Sequence, residues 1–580
     1  MHTPAPAGRI LLAGLIALVA CGIGTTAWAQ QQTAAEAVEE TFALTDPRSE
    51  LSDKPGPRPP AERLGIELER VPEVRLDAVD AAGLVLQDAA KRPEKGGMRY
   101  AVGRAIELMA LNGSWYELPN GAKLWAAEVS ADGALSLRLH FATLDLPEGA
   151  ELAVYAPRDE RDGFFKSPSL AHLERPIQVY AAGSAADVWT GSFPGERVRL
   201  ELYLPKSAAS AELPFALDQL LHAYVDPFTK AFENEKVAGP CHNDVTCFPE
   251  WAATAAGVAR YTFVSGGFGF LCSGQLINNQ KQDFTPFFLS VNHCVATGSE
   301  AASAEFFWRY QTATCGGPAP DPSTVPRSFG ATLISTSTQS DYTLLQIEGA
   351  LPGGLTWVGW TSAGIPGGTP ATAIHHPAGD FKRISFGNRS GVNSCGSNNF
   401  LEVDWTDAPT EPGSSGSGIF RNSTQQLFGT LSFGPSACFN ETFDCYGAFT
   451  TTFGRIKAPL KKGGTDDNSE QNDTCSKAKN TKQGTLTGRI VKSVDVDWYK
   501  ISVPPGKTVN ITLNFTHADG DIDLEFHGSC TSGPLFTSLG TGNSETLSIT
   551  NTASRKQNAF WRVFLDSDTR NSYNMTVTIN

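Results

Sequence analysis

The positions of the cysteines constrain this chain more than any other feature. Eleven cysteines occur in 580 residues, and apart from Cys21 all of them lie between Cys241 and Cys530. Clustered cysteines in an exported chain indicate a disulfide framework formed outside the reducing cytosol. The sequence therefore divides into a leading region without thiols and a disulfide-bonded remainder, and a chain of this length is expected to contain several domains.

The first 29 residues have the pattern of an export signal. Arg9 precedes an apolar run over residues 10–20, and Ala27-Trp28-Ala29 fits the small-x-small rule for signal cleavage. This run is too short to cross a bilayer and no later stretch is long enough, so we predict no membrane span. In the alternative, Leu18-Val19-Ala20-Cys21 is a lipoprotein box that anchors the chain through Cys21. Cleavage after Ala29 is favoured because it leaves an even number of cysteines.

The charge of the chain excludes two classes of partner. The formal net charge is −15 and no run of basic residues is present. Binding to nucleic acid or to anionic lipid depends on clustered lysine and arginine, so the sequence predicts neither partner.

A glycine and serine turn over residues 411–418, Glu-Pro-Gly-Ser-Ser-Gly-Ser-Gly, runs into an apolar strand. A serine hydroxyl acts as a nucleophile only with an adjacent base and with N–H donors for the oxyanion. Gly413 and Gly416 allow Ser415 to project from a strained turn, with the N–H groups of Gly413 and Ser415 directed at one point. Flexible linkers have a similar composition, so the turn alone does not decide between the two interpretations.

Two upstream stretches supply the missing partners of Ser415. The apolar stretch Phe287-Phe288-Leu289-Ser290-Val291 leads to His293, which is where a general base is expected. Asp341 precedes the apolar stretch 342–347 and is expected to orient the imidazole. The chain order His293, Asp341, Ser415, each at a strand edge, predicts a catalytic triad.

With these motifs, residues 237–462 resemble the lysyl endopeptidase branch of the chymotrypsin-like serine proteases. The matching segments are His293-Cys294, Ser340-Asp341-Tyr342-Thr343-Leu344-Leu345, Ala373-Ile374-His375-His376-Pro377, Lys382-Arg383-Ile384-Ser385 and Glu411-Pro412-Gly413-Ser414-Ser415-Gly416-Ser417. The resemblance implies an all-β fold of two packed antiparallel β-barrels with the triad between them. It implies a secreted, monomeric serine endopeptidase that acts on proteins or peptides through an acyl-enzyme, without a cofactor or metal. The alternatives are a catalytically idle secreted binding or adhesion protein and a serine protease with a different specificity.

The resemblance also places Asp444 at the base of the pocket that receives the substrate side chain. This implies cleavage after lysine and leaves arginine open as a second residue. His375 and His376 have no third metal ligand at a suitable spacing, so we expect a structural role for them.

Disulfide pairings in the protease region follow from the resemblance. It implies the three pairs Cys241–Cys438, Cys247–Cys315 and Cys272–Cys294, which the spacing alone does not select. Cys395 and Cys445 are left over and most simply pair with each other. Such a bridge would brace one wall of the specificity pocket next to Asp444.

The region before the protease, residues 30–236, is interpreted as a propeptide. Residues 30–75 show no sustained apolar period and are predicted to be an unpacked leader. From about residue 76, alternating stretches such as Leu135–Phe141 and Val198–Leu204 predict a β-sandwich. We expect this domain to assist folding and to cover the active site, and the alternative is an independent sugar-binding or adhesion domain. Lys236 is the expected cleavage point, and because Ser414 stands where animal digestive enzymes have an aspartate, relief of a steric block is the expected activation.

The last part of the chain has a polar linker over residues 463–472 and a final domain over residues 473–580. Stretches such as 497–506 and 521–526 resemble the pre-peptidase C-terminal β-sandwich of secreted bacterial proteases. Cys475 and Cys530 are expected to form its disulfide. Asp497, Asp521 and Asp523 are candidates for a calcium site, although solvated turn carboxylates are the commoner case.

Overall fold

In the computed structural model, strands account for about half of the described residues and helices are short. The predicted export signal, Lys236 and most of the predicted polar linker lie outside the described residues. Among the described residues, no helix combines the length and apolarity that crossing a membrane requires. The structure describes residues 38–47, 57–68, 71–90, 97–106, 113–157, 177–208, 212–225, 238–318, 320, 325–461, 472, 474–492, 496–517, 520–530, 534–565 and 570–580.

The region before the protease contains ten strands and two α-helices in the described residues. They are β1 (Leu44–Thr45), α1 (Pro60–Leu64), β2 (Glu73–Leu76), α2 (Ala81–Ala90), β3 (Met98–Ala105), β4 (Ser114–Glu117), β5 (Lys123–Ala131), β6 (Ser136–Tyr155), β7 (Ile177–Trp189), β8 (Phe193–Pro194), β9 (Arg197–Leu204) and β10 (Phe215–Ala223). The alternating apolar residues of β6 and β9 lie in the core, as for Leu137, Leu139 and Leu200.

The strands of this region do not divide into the two separate sheets of a sandwich. They form one hydrogen-bonded path, β3-β10-β6-β9-β5-β2, so the predicted sandwich is wrong in this respect. The cause is the length of β6, which has 20 residues. Its first half pairs with β10 and its second half pairs with β9. The single strand β6 therefore belongs to both halves of the sheet, whereas two separate sheets would each have a strand of their own.

The protease region begins with a set of strands that surround one apolar core. Its elements are β11 (Asn243–Asp244), α3 (Ala252–Ala256), β12 (Val258–Ser265), β13 (Phe268–Leu276), β14 (Phe287–Ser290), α4 (Gly298–Ala302), β15 (Glu305–Trp308), β16 (Arg327–Phe329), β17 (Ala331–Ser337), β18 (Tyr342–Ile347) and β19 (Thr356–Trp357). Strands β12 to β18 pair antiparallel around buried aromatic residues that include Phe288, Phe306 and Trp308.

The second half of the protease region is a closed barrel. Its elements are β20 (Pro370–His375), β21 (Arg383–Arg389), β22 (Phe400–Asp407), β23 (Gly418–Arg421), β24 (Leu427–Phe433), β25 (Phe443–Ala448) and α5 (Phe449–Leu460). Antiparallel pairing runs β20-β21-β22-β25-β24-β23 and returns to β20, which closes six strands. The two antiparallel strand systems confirm the expected chymotrypsin-like all-β fold.

The C-terminal region is a sandwich of two sheets. Its strands are β26 (Lys479–Asn480), β27 (Gly484–Lys492), β28 (Asp497–Val503), β29 (Thr508–Phe515), β30 (Ile522–His527), β31 (Pro534–Ser538), β32 (Ser544–Thr550), β33 (Gln557–Leu565) and β34 (Arg570–Ile579). The orders are β26-β28-β33-β30-β31 and β27-β34-β29-β32. Alternating residues from both sheets bury one apolar core around Trp561.

Five disulfides connect the described cysteines. They have the pairings expected from the sequence: Cys241–Cys438, Cys247–Cys315, Cys272–Cys294, Cys395–Cys445 and Cys475–Cys530. The first four lie within the protease region, and the fifth lies within the C-terminal sandwich.

The prediction of an unpacked leader over residues 30–75 is wrong for its described parts. β2 pairs in parallel with β5, and the N–H of Ala61 in α1 donates to Glu201 Oε2 at 2.7 Å. β1 pairs with β19 of the protease region. These segments are short and are held largely through main-chain groups, so they leave no apolar period in the sequence.

The strand β3 joins the N-terminal region to the protease. It pairs antiparallel with β13 from Phe268 to Leu271, and on its other edge it pairs with β10. The sheet of the N-terminal region is therefore continuous with the first strand system of the protease.

Candidate active site

The candidate base and its orienting carboxylate are in direct contact. His293 follows β14 and Asp341 precedes β18, and these two strands pair with each other. His293 Nδ1 lies 2.6 Å from Asp341 Oδ2, and the N–H of His293 donates to Asp341 Oδ1 at 3.0 Å. Two bonds to one carboxylate fix both the position and the tautomer of the imidazole, which leaves Nε2 for the reacting hydroxyl.

Asp341 is held in an uncommon backbone conformation and a polar environment. Its φ is 47°, in the left-handed region that a non-glycine residue seldom adopts. Burial alone would raise the pKa of the Asp341 carboxyl, but the hydrogen bonds and charge of His293, together with the hydroxyl of Ser432, hold the pKa below its ordinary value. The carboxylate is therefore ionised throughout the range in which histidine titrates.

The turn that carries Ser415 needs glycine at two positions. Gly413 has φ 93° and Gly416 has φ 85°, where a side chain is strained. A Cβ on Gly416 would also lie 2.0 Å from Ser290 Oγ and 2.3 Å from the Ser273 carbonyl. The sequence-based assignment of a strained turn thus agrees with the geometry.

Hydrogen bonding within the turn leaves two N–H groups available. The N–H groups of Ser414, Gly416 and Ser417 donate to Glu411, Leu431 and Ser414 carbonyls. Among the described residues, the N–H groups of Gly413 and Ser415 donate to no acceptor. These are the two groups expected to hold the oxyanion.

The segment that carries Ser415 and the segment that carries His293 are both attached to β13. The Ser273 N–H donates to the Ser415 carbonyl at 2.9 Å, and Ser273 Oγ donates to the Gly413 carbonyl at 2.9 Å. Cys272, the neighbouring residue in β13, is bonded to Cys294 beside His293. Ser415 Oγ is buried and has no hydrogen-bond partner in the described part of the chain. A catalytic serine commonly forms its bond to the base only with substrate present.

Asp444 in β25 is fully buried and surrounded by neutral donors. Its Oδ2 accepts from Trp405 Nε1 at 2.8 Å and from Thr410 Oγ1 at 2.7 Å, and Ser436 Oγ donates to the same oxygen. The adjacent Cys445 is bonded to Cys395. Hydrogen bonds from these three side chains fix the position of the Asp444 carboxyl group.

The two neighbouring histidines have structural partners. His375 contacts Ser414 Oγ at 2.7 Å through Nδ1 and Ser385 Oγ at 2.8 Å through Nε2. His376 Nδ1 lies 2.9 Å from the Asp380 carbonyl oxygen. His375 thereby fixes the side chain of Ser414, the residue before Ser415 in the nucleophile turn.

Two possible metal sites are explained by other contacts. Cys241, His242 and Cys438 lie close together, but the two sulfurs form a disulfide and are not thiolates. In the C-terminal sandwich, Asp497 accepts from Tyr573 and Asn472, and Asp521 contacts His517. Asp497, Asp521 and Asp523 do not form a candidate metal cluster among the described residues.

Several residues of the site were not predicted from the sequence. Thr410, Trp405 and Ser436 hold Asp444. Ser432 in β24, a position that the family resemblance places beside the catalytic base, donates to Asp341 Oδ2. Each contributes a single hydroxyl or indole N–H, residue types that are common on any β-protein surface. Only the paired strands of the closed barrel bring them to the carboxylates.

Comparison with known proteins gives two matches to one family, one before the site in the sequence and one that contains it. A model described as lysyl endopeptidase, N-terminal domain, matches residues 68–224, and one described as lysyl endopeptidase, C-terminal domain, matches residues 236–447. Together they span more than half of the chain. A lysyl endopeptidase of Pseudomonas aeruginosa is 29% identical over 377 residues, which cover 60% of this chain and 78% of that protein.

Solved structures of serine proteases align with part of the chain. A thermostable serine protease from an extremophilic microorganism is 14% identical with a TM-score of 0.26, covering 36% of this chain and 98% of that one. The protease Anisep from Arthrobacter nicotinovorans is 15% identical with a TM-score of 0.26, covering 34% of this chain and 94% of that one.

Proposed function

The chain belongs to the lysyl endopeptidase family and is a serine endopeptidase, and from this premise we propose that it hydrolyses peptide bonds after lysine. The observation that carries the proposal is an imidazole at His293, fixed by Asp341, and a strained serine turn with two free N–H groups, each attached to β13. Because Nδ1 is bonded to Asp341, Nε2 is the nitrogen that remains for the serine. The proposed roles follow from these positions.

In the proposed mechanism, Ser415 Oγ attacks the scissile carbonyl while His293 Nε2 takes its proton. Asp341 stabilises the imidazolium, and the N–H groups of Gly413 and Ser415 donate to the oxyanion. The C–N bond then breaks as His293 returns the proton to the leaving amine. Water, deprotonated by the same imidazole, hydrolyses the acyl-enzyme and regenerates Ser415.

Selection of lysine is assigned to Asp444. A carboxylate at the base of the pocket forms a charge-assisted hydrogen bond with a substrate ammonium, whereas a neutral side chain forms none. The Cys395–Cys445 bridge fixes the chain next to Asp444. A rigid pocket wall favours discrimination, because little of the binding energy is spent on ordering the site.

The N-terminal region is proposed to be an inhibitory propeptide. Met98 of β3 is the pairing partner of Leu271 in β13. Leu271 in turn lies against the oxyanion turn, since a Cβ on Gly413 would lie 3.0 Å from Leu271 Cδ1. The strand β3 thus occupies an edge that leads directly to the candidate nucleophile, where an extended peptide substrate would have to pass.

The remaining parts of the proposal concern processing and location. Residues 1–29 are assigned to an export signal, residues 30–236 to the propeptide and residues 237–462 to the mature protease, with cleavage at Lys236. Residues 463–472 are assigned to a linker and residues 473–580 to a pre-peptidase C-terminal domain. Five disulfides support an extracellular location.

The specificity is tested with a peptide library and one pair of variants. We expect cleavage after lysine to dominate. Asp444→Asn should lower kcat/KM for lysine substrates by tens to thousands of fold, because losing one member of a buried charge pair costs about 2–5 kcal/mol. Asp404→Asn serves as the matched control, since Asp404 is exposed on the neighbouring strand β22. Dominant cleavage after acidic or aromatic residues would overturn the assignment of Asp444.

Catalytic competence is tested separately with a serine-directed fluorophosphonate. The matured wild-type protein should be labelled on Ser415, and Ser415→Ala should not be labelled. Lack of labelling of a folded, matured protein would favour the idle binding or adhesion protein.

A further inference from the structure

A short segment near the start of the described chain lies on the protease region. We call Glu39–Asp46 the strap. It runs antiparallel to residues 355–362, with a bridge from Glu40 to Thr361 near its start and with β1 paired to β19 near its end. Its remaining main-chain hydrogen bonds are Thr41 N–H to the Trp360 carbonyl at 2.9 Å, Ser362 N–H to the Glu39 carbonyl at 2.8 Å and Asp46 N–H to the Leu355 carbonyl at 2.9 Å.

Two buried amide side chains of the protease region donate to the main chain of the strap. Asn278 Nδ2 donates to the Phe42 carbonyl at 2.9 Å, and Gln426 Nε2 donates to the Thr41 carbonyl at 2.9 Å. Asn278 is 1% exposed and Gln426 is 2% exposed. Buried donors need acceptors, and here the strap supplies them.

The first residue of the strap is fixed by charge. Glu39 accepts from Gln280 Nε2 at 2.6 Å and forms an ion pair with Lys461 Nζ at 3.0 Å. The bond from Gln280, followed by that from Lys461, lowers the pKa of Glu39. The strap is therefore held at this end by side chains as well as by strand pairing.

Gly359 provides the space in which the strap lies. A Cβ at this position would lie 2.6 Å from the Thr41 carbonyl oxygen and 2.7 Å from Phe42 Cα. The three atoms nearest to that Cβ all belong to the strap. The methyl group of an alanine at position 359 would therefore clash first with the strap, because no atom of the protease lies nearer to it.

The strap differs from the rest of the N-terminal region in two respects. Its contacts do not include the triad residues or Asp444, so it does not occupy the catalytic site. It also contains no lysine, and the first lysine in the whole sequence is Lys54. An enzyme that cuts after lysine has no site within the strap, a point that rests on the proposed specificity.

We propose that residues 355–362, with Asn278, Gly359 and Gln426, form a peptide-binding groove whose occupant is the strap, and that the strap stays bound as a separate peptide after maturation. The β-rich domain covers the active site and has to leave. The strap binds elsewhere, and its departure would remove the Phe42 and Thr41 carbonyls to which Asn278 and Gln426 donate. The mature enzyme is then a complex of two chains.

The test uses the full chain, expressed and allowed to mature, with intact mass measured under native and denaturing conditions. The native mass should exceed that of the protease chain by one peptide that contains Glu39–Asp46. Gly359→Ala should lose this peptide. Gly364→Ala is the matched control and should retain it, because a Cβ there would meet nothing within 4 Å.

A native mass equal to that of the protease chain alone would overturn retention of the strap, as would an uncut product. Activity on a lysine substrate is measured in the same samples, so an error in the proposed specificity is seen separately from loss of the peptide. Activity in Gly359→Ala shows that the variant is folded.

Hydrogen exchange on the uncut Ser415→Ala chain tests the groove itself. Peptides covering Glu39–Asp46 should exchange at least tenfold faster when Gly359→Ala is added, and at an unchanged rate with Gly364→Ala. Equal rates in the two variants would overturn the groove.

Discussion

The N-terminal region and the C-terminal sandwich are both β domains attached to the same protease, yet their sheets end differently. In the described residues, every strand of the C-terminal sandwich pairs within its own two sheets. The N-terminal sheet continues through β3 into β13 of the protease. When the strands of a domain pair only with one another, removing that domain uncovers no strand edge in its neighbour. Removal of a domain that completes its neighbour's sheet instead uncovers an edge, and here that edge leads to the candidate nucleophile.

The largest expected effect comes from Ser415→Ala. Removing a triad member costs several powers of ten in rate. If the enzyme matures itself, the N-terminal region should stay covalently attached in this variant, while the C-terminal sandwich folds normally. Intact mass, gel analysis and kcat/KM of the purified protein check this. Normal maturation of a purified Ser415→Ala sample would contradict self-processing.

Removing one disulfide from the protease, or one from the C-terminal sandwich, should destabilise the affected region by nearly the same free energy. Cys395–Cys445 spans 50 residues and Cys475–Cys530 spans 55. The chain-entropy model gives about 4 kcal/mol for either loop. We expect Cys395→Ser to lower both the protease transition and kcat/KM for lysine substrates. Cys475→Ser should lower only the transition of the sandwich.

Calorimetry and kinetics on the two variants provide the measurement. A loss of kcat/KM in Cys475→Ser would show that the sandwich is coupled to the active site. Unchanged kcat/KM in Cys395→Ser would show that the bridge does not brace the pocket.

A smaller effect is expected at a polar contact between the N-terminal region and the protease. Glu305 of β15 is fully buried and accepts from Ser192 Oγ at 2.7 Å and Ser192 N–H at 3.0 Å. Hydrogen bonds to charged groups contribute about 1.5–3 kcal/mol, so Ser192→Ala should destabilise the uncut chain by roughly that amount.

Denaturant unfolding of the Ser415→Ala chain measures the effect of Ser192→Ala. Ser184→Ala is a suitable control, because Ser184 is exposed on β7 and should change stability by less than about 0.5 kcal/mol. Equal effects of the two substitutions would show that the contact with Glu305 does not hold the regions together.

The smallest effect near neutral pH concerns Lys382 in the protease. Its amine is buried and donates to the Ala255 carbonyl at 2.6 Å. Burial, with a lesser contribution from Arg309, lowers the pKa of Lys382 to about 7. Above that pH the unfolded chain holds a proton that the folded chain has lost, so protease stability should rise with pH.

The free energy of unfolding of the protease should rise by about 1 kcal/mol between pH 7 and pH 8. Lys382→Met should abolish this slope, while the transition of the C-terminal sandwich stays constant over the same range. Melting curves at several pH values check both. A slope that persists in Lys382→Met would assign the pH dependence to another group.

Much of the protease could be predicted from the sequence because its chemistry is local. The turn around Ser415, the strand ending near His293 and the cysteines each carry a signal within a few residues. The β class followed from alternation, as in β9. Asp444 could be singled out only through resemblance, since a single carboxylate before a cysteine has no pattern of its own.

The contacts between regions could not be predicted for a physical reason. The strap is held largely through main-chain groups, which every sequence possesses, and its side chains show no periodicity. Ser192 contributes one hydroxyl to a carboxylate 113 positions away in the sequence. The pairing of β3 with β13 depends on which strand edge is free after folding. The alternation of apolar and polar residues within one strand does not specify the strand that pairs with it.

The strap and the protease residues with which it pairs are synthesised at very different times. Thr45 and Thr356, whose hydroxyls lie 3.0 Å apart, are separated by 311 positions in the sequence. At about 5–20 residues per second, roughly 15–60 s pass between the synthesis of one and the other. The strap is therefore made long before its binding groove exists. It cannot pair with the groove during that interval, and it completes its contacts only after almost the whole protease has been made.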